Sequence, residues 1–78
     1  MKLYILTCIN EDATLVYCQP YSCRVDAENA MEEMYEAERK EFEANERLDE
    51  DYDQFTSKYA VVGNCDYHYD FQITECDL

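Results

Sequence analysis

Apolar residues recur along this chain with two different periods. In Lys2 to Ile9 (KLYILTCI) they fall on both sides of an extended backbone, with Leu3, Ile5 and Ile9 on one side and Tyr4, Leu6 and Cys8 on the other. Such a strand belongs inside a sheet, with each face covered by something. Asn10-Glu11-Asp12 supplies turn residues, and Ala13 to Gln19 (ATLVYCQ) follows as a second strand, so 2–9 and 13–19 predict a β-hairpin. Pro20 has no amide hydrogen to donate and confines the second strand to an edge or ends it. Near the other end, Tyr67, Tyr69, Phe71 and Ile73 alternate with His68, Asp70, Gln72 and Thr74, which predicts a half-buried antiparallel strand over 67–76. Lys58 to Cys65 (KYAVVGNC) predicts another over 58–65, with a turn or bulge around Gly63 to Asp66.

Between the two pairs of strands the period becomes helical. Ala27, Ala30, Met31, Met34, Ala37, Phe42, Ala44 and Leu48 form a narrow apolar stripe able to lie on a sheet. Asp26 is the expected N-cap. Asp49-Glu50-Asp51-Tyr52-Asp53 stacks negative charge where the helix dipole disfavours it, so the helix is expected over about 27–48, with an acidic loop continuing to Ser57. Glu36 with Lys40 and Glu43 with Arg47 have the spacing of helical ion pairs. The order ββαββ predicts a single α+β domain over 1–78: a four-stranded, mainly antiparallel sheet with one long acidic helix packed on one face. One helix covers one face. Tyr4, Leu6, Cys8 and Val16 are therefore expected on the uncovered side, where a homodimer would bury them.

Composition limits what such a domain does. At 78 residues the core is small, yet 47% apolar residues and eight tyrosines exceed what a disordered acidic tail carries. The five cysteines are an odd set with no Cys-x-x-Cys pair, so a complete disulfide framework is not expected. The stretch MKLYILTCINED lacks the pattern of a signal peptide, and no apolar run approaches the roughly 20 residues of a membrane span. These features predict a cytoplasmic protein with reduced thiols and no membrane partner.

Charge changes the picture most. Residues 26–53 hold thirteen Asp and Glu against three Lys and Arg, −10 of the chain's net −13. Phosphate repulsion then excludes direct binding to nucleic acid, and the favoured partner is a basic protein surface of the kind that holds nucleic acid.

Candidate chemistry is sparse. The lone His68 excludes sites that need several imidazoles, and Asp66, His68 and Asp70 read as a solvated strand face. Asp49-x-Asp51-x-Asp53 opens like a calcium loop, but Gln54 stands where that loop needs Gly and Ala60 where it needs Glu. No spacing singles out a nucleophilic Cys, and no glycine-rich phosphate loop is present. The chain is thus expected to be no enzyme, with no catalytic residues, no metal and no cofactor.

The geometry of the acidic segment suggests another use. Carboxylates four residues apart on a helix lie about 6 Å apart along its axis, comparable with the phosphate spacing of a nucleic-acid strand. Glu32, Glu36, Glu43, Glu46, Asp49, Asp51 and Asp53 are the candidate phosphate surrogates, with Tyr35 or Tyr52 in place of a stacked base. In size, charge and α+β layout the chain resembles the small acidic DNA mimics of phages and mobile elements, the anti-CRISPR and antirestriction inhibitors. That resemblance is one of overall character, carried by no diagnostic motif. It implies a non-enzymatic inhibitor that occupies the basic surface of a nucleic-acid-binding protein such as a CRISPR effector or restriction complex. The alternative is a small structural or adaptor domain that self-associates or binds a protein through the uncovered sheet face.

Overall fold

The computed structural model describes all 78 residues. Its strands are β1 (Lys2–Asn10), β2 (Leu15–Tyr21), β3 (Asp53–Phe55), β4 (Tyr59–Gly63) and β5 (His68–Asp77), and its one α-helix is α1 (Arg24–Ala44). All neighbouring strands are antiparallel, in the order β2-β1-β5-β4-β3. The α+β class and the ββα start agree with expectation, but the sheet has five strands. The extra one, β3, comes from the segment expected to be an acidic loop. Its Asp53 pairs with Val62 and its Phe55 with Ala60, and the Phe55 ring packs 5.0 Å from that of Tyr35 on the helix.

Both β1 and β5 are paired on two sides, and β2, which carries Pro20, is an edge strand. The register of β1 against β5 sets Leu6 opposite Ile73 and Cys8 opposite Phe71. Because opposite residues share a face, the alternation of β5 decides which side of β1 meets the helix. The result reverses the expected facing of β1. Leu6 and Cys8 are buried under α1, with Tyr4 on the same side, while Leu3, Ile5, Thr7 and Ile9 line the open face. Val16 belongs to neither set: β2 slips by one residue between the pairs Cys8–Tyr17 and Ile9–Leu15, and Val16 is the extra residue of that bulge.

The core consists of Leu6, Cys8, Ala60, Val62 and Phe71 from the sheet and Met31 and Tyr35 from the helix. Complete burial of Phe71, Leu6, Met31 and Val62 contributes about 1.5–3 kcal/mol each. On α1 the inward stripe is Ala27, Met31 and Tyr35, flanked by half-buried Met34, Glu38 and Phe42, whereas Ala37 and Ala44 are exposed. Tyr35 is thus a core residue and not a surface aromatic.

The helix begins three residues before the expected start. Cys23 occupies the N-cap position without a side-chain hydrogen bond, which leaves Asp26 in the first turn, where its charge meets the positive end of the dipole. It also stops early. Asn45 closes the last turn through its backbone and side-chain N–H groups, both donated to the Glu41 carbonyl. The Glu46 and Arg47 amides then bond back to Glu43 and Phe42, a Schellman arrangement that requires Glu46 to take φ 56°. Arg47 therefore lies beyond the helix and does not pair with Glu43; Arg39 does so at 3.3 Å.

The chain after the helix is tied to the far end of the sheet. The Asn64 side chain donates to the Arg47 carbonyl at 2.8 Å and accepts from the amides of Asp66 and Tyr67, and the Asp49 amide donates to the Gly63 carbonyl at 2.8 Å. Gly63 is required here: its φ is 136°, and an added Cβ would lie 2.7 Å from the His68 Cα.

A left-handed Glu46 carries a strain that glycine would not. Glu46→Gly is expected to stabilise the fold by about 0.5–1 kcal/mol, net of the extra freedom it gives the unfolded chain. Urea denaturation of the two proteins measures the difference.

Candidate acidic binding surface

With 21 residues, α1 is about 31 Å long. Its buried side is set by Met31, and at 3.6 residues per turn Glu32, Glu36 and Glu43 fall within about 40° of one another on the side facing solvent. Glu32, Glu33 and Glu36 border a shallow surface concavity together with Asn29 and Lys40. Past the end of the helix, Glu46, Asp49 and Glu50 share a second concavity with Asp66, which the β4–β5 turn brings alongside. Asp51 projects from the 3-10 turn Glu50–Tyr52. The acids of the helix and those of the loop thus border two separate concavities, the second lying just past the end of the helix and lined by Arg47 as well.

Few of them are neutralised internally. Of the nineteen acids, only Glu43, Asp53, Asp70 and Glu75 form an ion pair with a basic side chain. Glu75 binds Lys2 and Arg24, each at 3.4 Å, and these cations hold its carboxyl below the ordinary value, the Lys2 hydrogen bond most of all. Glu32, Glu36, Glu46 and Asp51 are exposed and have no basic partner. Asp49 is half-exposed, and its Oδ1 caps the 3-10 turn by accepting from the Asp51 amide at 3.0 Å.

Asp53 departs from the expected set. Its Oδ1 accepts from the Tyr35 hydroxyl and its Oδ2 from Arg39 Nε at 3.0 Å, and its side chain is only 16% exposed. Burial, followed by the bond to Asp53, pushes the Tyr35 phenol up to about 12, so the ring stays neutral and donates throughout the physiological range. Asp53 fastens the acidic loop to the helix. Tyr52 is also engaged: its ring is tilted against His68 with centroids 5.1 Å apart.

Glu38 is the acid whose role the chain's charge pattern conceals. It stands four residues after Met34, on the inward stripe, at the mouth of a 340 Å³ apolar groove between α1 and the β1–β2 edge, lined by Cys8, Val16, Tyr17 and Phe71 among others. It has no basic partner, and burial followed by the nearby Glu41 raises its carboxyl above the ordinary value of 4.5. The helical period through Met31, Met34 and Tyr35 marks position 38 as inward-facing, a signal outweighed by the uniform run of glutamates around it.

Reactive groups are dispersed. Burial and the charge of Glu38 push the Cys8 thiol up to about 12, which removes its nucleophilic form. His68 contacts the Asn64 carbonyl through Nδ1 at 3.0 Å and lies 3.6 Å from Asp70 through Nε2. All five thiols are free, and no group of three or more His, Cys, Asp and Glu side chains is arranged to hold a metal ion. No helix is long and apolar enough to cross a membrane. No protein-family model matches the chain, and no curated protein or solved structure is significantly similar to it.

Two measurements separate structural acids from free ones. Asp53→Ala leaves the Tyr35 hydroxyl without its acceptor and is expected to destabilise by about 1–3 kcal/mol in urea titrations, while Asp51→Ala changes stability by less than about 0.5 kcal/mol. For Glu38 the folded state holds the proton more tightly than the unfolded chain. Folding is therefore unaffected below the ordinary carboxyl value and loses stability as the pH rises through and above it. Glu38→Gln is expected to raise the melting temperature at about pH 7 and leave it unchanged near pH 3.5, as followed by circular dichroism.

Proposed function

We propose that the protein is a non-enzymatic inhibitor that presents its acidic helix and following loop as a mimic of nucleic-acid phosphates. Its target is the basic surface of a nucleic-acid-binding protein of the CRISPR effector or restriction class, in a reducing cytoplasm. One observation carries the reading: Glu32, Glu36, Glu46 and Asp51 lie on one ordered helix and its adjoining turn, facing water, with no cation of the chain bound to them. A surface needed only for solubility mixes charges of both signs, whereas this one leaves its carboxylates unsatisfied and preorganised.

In this reading Glu32, Glu36, Glu46, Asp49 and Asp51 receive Lys and Arg of the partner through charge-assisted hydrogen bonds. Glu43 joins them while sharing Arg39, and Asp53 serves by holding the loop against the helix through Arg39 and Tyr35. The sheet beneath keeps the helix straight, so little ordering entropy is lost on binding.

Displacement of a fluorescent DNA duplex from a panel of CRISPR effectors and restriction enzymes tests the proposal. The wild-type protein is expected to displace DNA from at least one of them, with an affinity that falls at least about tenfold between 50 and 300 mM KCl. The triple variant Glu32→Lys, Glu36→Lys, Glu46→Lys is expected to lose at least about 100-fold in affinity while keeping its fold. Binding indifferent to both changes would overturn the reading.

A further inference from the structure

The side of the sheet opposite the helix has a composition unlike the rest of the molecule. By strand register it presents Leu3, Ile5, Thr7 and Ile9 from β1, Cys18 and Pro20 from β2, and Asp70, Gln72, Thr74 and Cys76 from β5. Asp70 is the one formal charge among them, and it lies 3.6 Å from His68 on the same face. In a chain of net charge −13, this sheet face is apolar or neutral apart from Asp70.

We propose that this face is the contact surface of a symmetric homodimer. Three observations favour a second copy as its occupant. Two chains of charge −13 repel through the helix and loop, so a face almost free of charge is the side on which they approach at least electrostatic disadvantage. A basic partner, by contrast, gains nothing from a neutral surface. The scale also suits a second copy: the two longer dimensions of the molecule are 43 and 22 Å, which bounds the face at an area on the order of 900 Å², against roughly 800 Å² per partner in a standard stable interface. Finally, the core beneath the helix contains only seven residues, so covering Leu3, Ile5 and Ile9 adds substantially to the apolar surface removed from water. A two-fold axis lying in the plane of the contact, parallel to the face, lets the same patch serve both copies, and the two acidic helices then lie on opposite outer sides of the dimer.

The inference is independent of the inhibitor reading, and its salt dependence has the opposite sign. Screening reduces repulsion between the two copies, so association is expected to tighten as NaCl rises from 50 to 500 mM, while binding to a basic partner weakens. Sedimentation equilibrium of the full chain is expected to give twice the monomer mass at high salt. Ile5→Lys places like charges across the two-fold contact and is expected to weaken association at least about 100-fold. Thr74→Glu, at an exposed position of β5, does the same without touching a packed side chain, so a folding defect in the first variant leaves the test intact. The native thiols supply a second readout. Maleimide labelling of Cys18 and Cys76 is expected to slow as protein concentration rises, while Cys65, exposed in the β4–β5 turn, reacts at a constant rate. A monomeric mass at about 500 μM protein and 500 mM NaCl would overturn the proposal, and so would a dimer that neither substitution disturbs.

Discussion

Everything in this fold depends on the pairing of β5 with a strand on each side. From His68 to Thr74 its residues alternate between apolar and polar, and its neighbours β1 and β4 are aligned to it in register, so it imposes its own two-sidedness on both. Phe71 lies opposite Cys8 on one side and Ala60 on the other, and all three are buried under the helix. Moving β1 by one residue would carry Leu6 and Cys8 out of the core and Leu3, Ile5 and Ile9 into it. The choice between a core made of one set and a core made of the other is a choice of register.

The same two-sidedness sorts the charge. Helix and loop receive the acids because a single helix on a sheet has most of its circumference in water, and fifteen of the nineteen carboxylates remain without a basic partner. Three of the six cations stand at places where the chain must be fastened. Arg39 bridges the helix to β3 through Asp53, and Lys2 and Arg24 meet over Glu75 where β1, the helix start and β5 converge. Lys40 and Arg47 border the acidic concavities without forming an ion pair, so the outward carboxylates stay unpaired. An acidic helix on one side and a sheet face with a single formal charge on the other are two consequences of one arrangement.

Much of the architecture was legible in the pattern of residues. The strand over 67–76 followed from strict alternation, the hairpin from turn residues between two β-rich runs, and the helix from a stripe at helical spacing. Two helix details were not legible, because they depend on where backbone groups find partners. The stop at Ala44 rests on Asn45 and on a left-handed Glu46, a residue with no special preference for that conformation. Tyr35 looked like a surface aromatic because it is surrounded by glutamates, yet its ring fills the space over β3 and β4 and its hydroxyl finds Asp53. Within the candidate site, Glu32 and Glu36 stand where helical periodicity places them, whereas Glu46 lies past the helix end and Asp53 is held by Arg39 and Tyr35.

By itself the sequence determined the class of fold, the concentration of negative charge on one helix and its loop, and the small number of cations available to offset it. These are local quantities, readable from period and composition. Tertiary structure alone decided which face of β1 is buried, that a fifth strand forms at the end of the acidic segment, and which carboxylates are consumed by the fold. Each of those is settled by contacts between residues distant in the chain: β1 carries apolar groups on both sides, so nothing within it distinguishes core from surface until β5 is laid beside it.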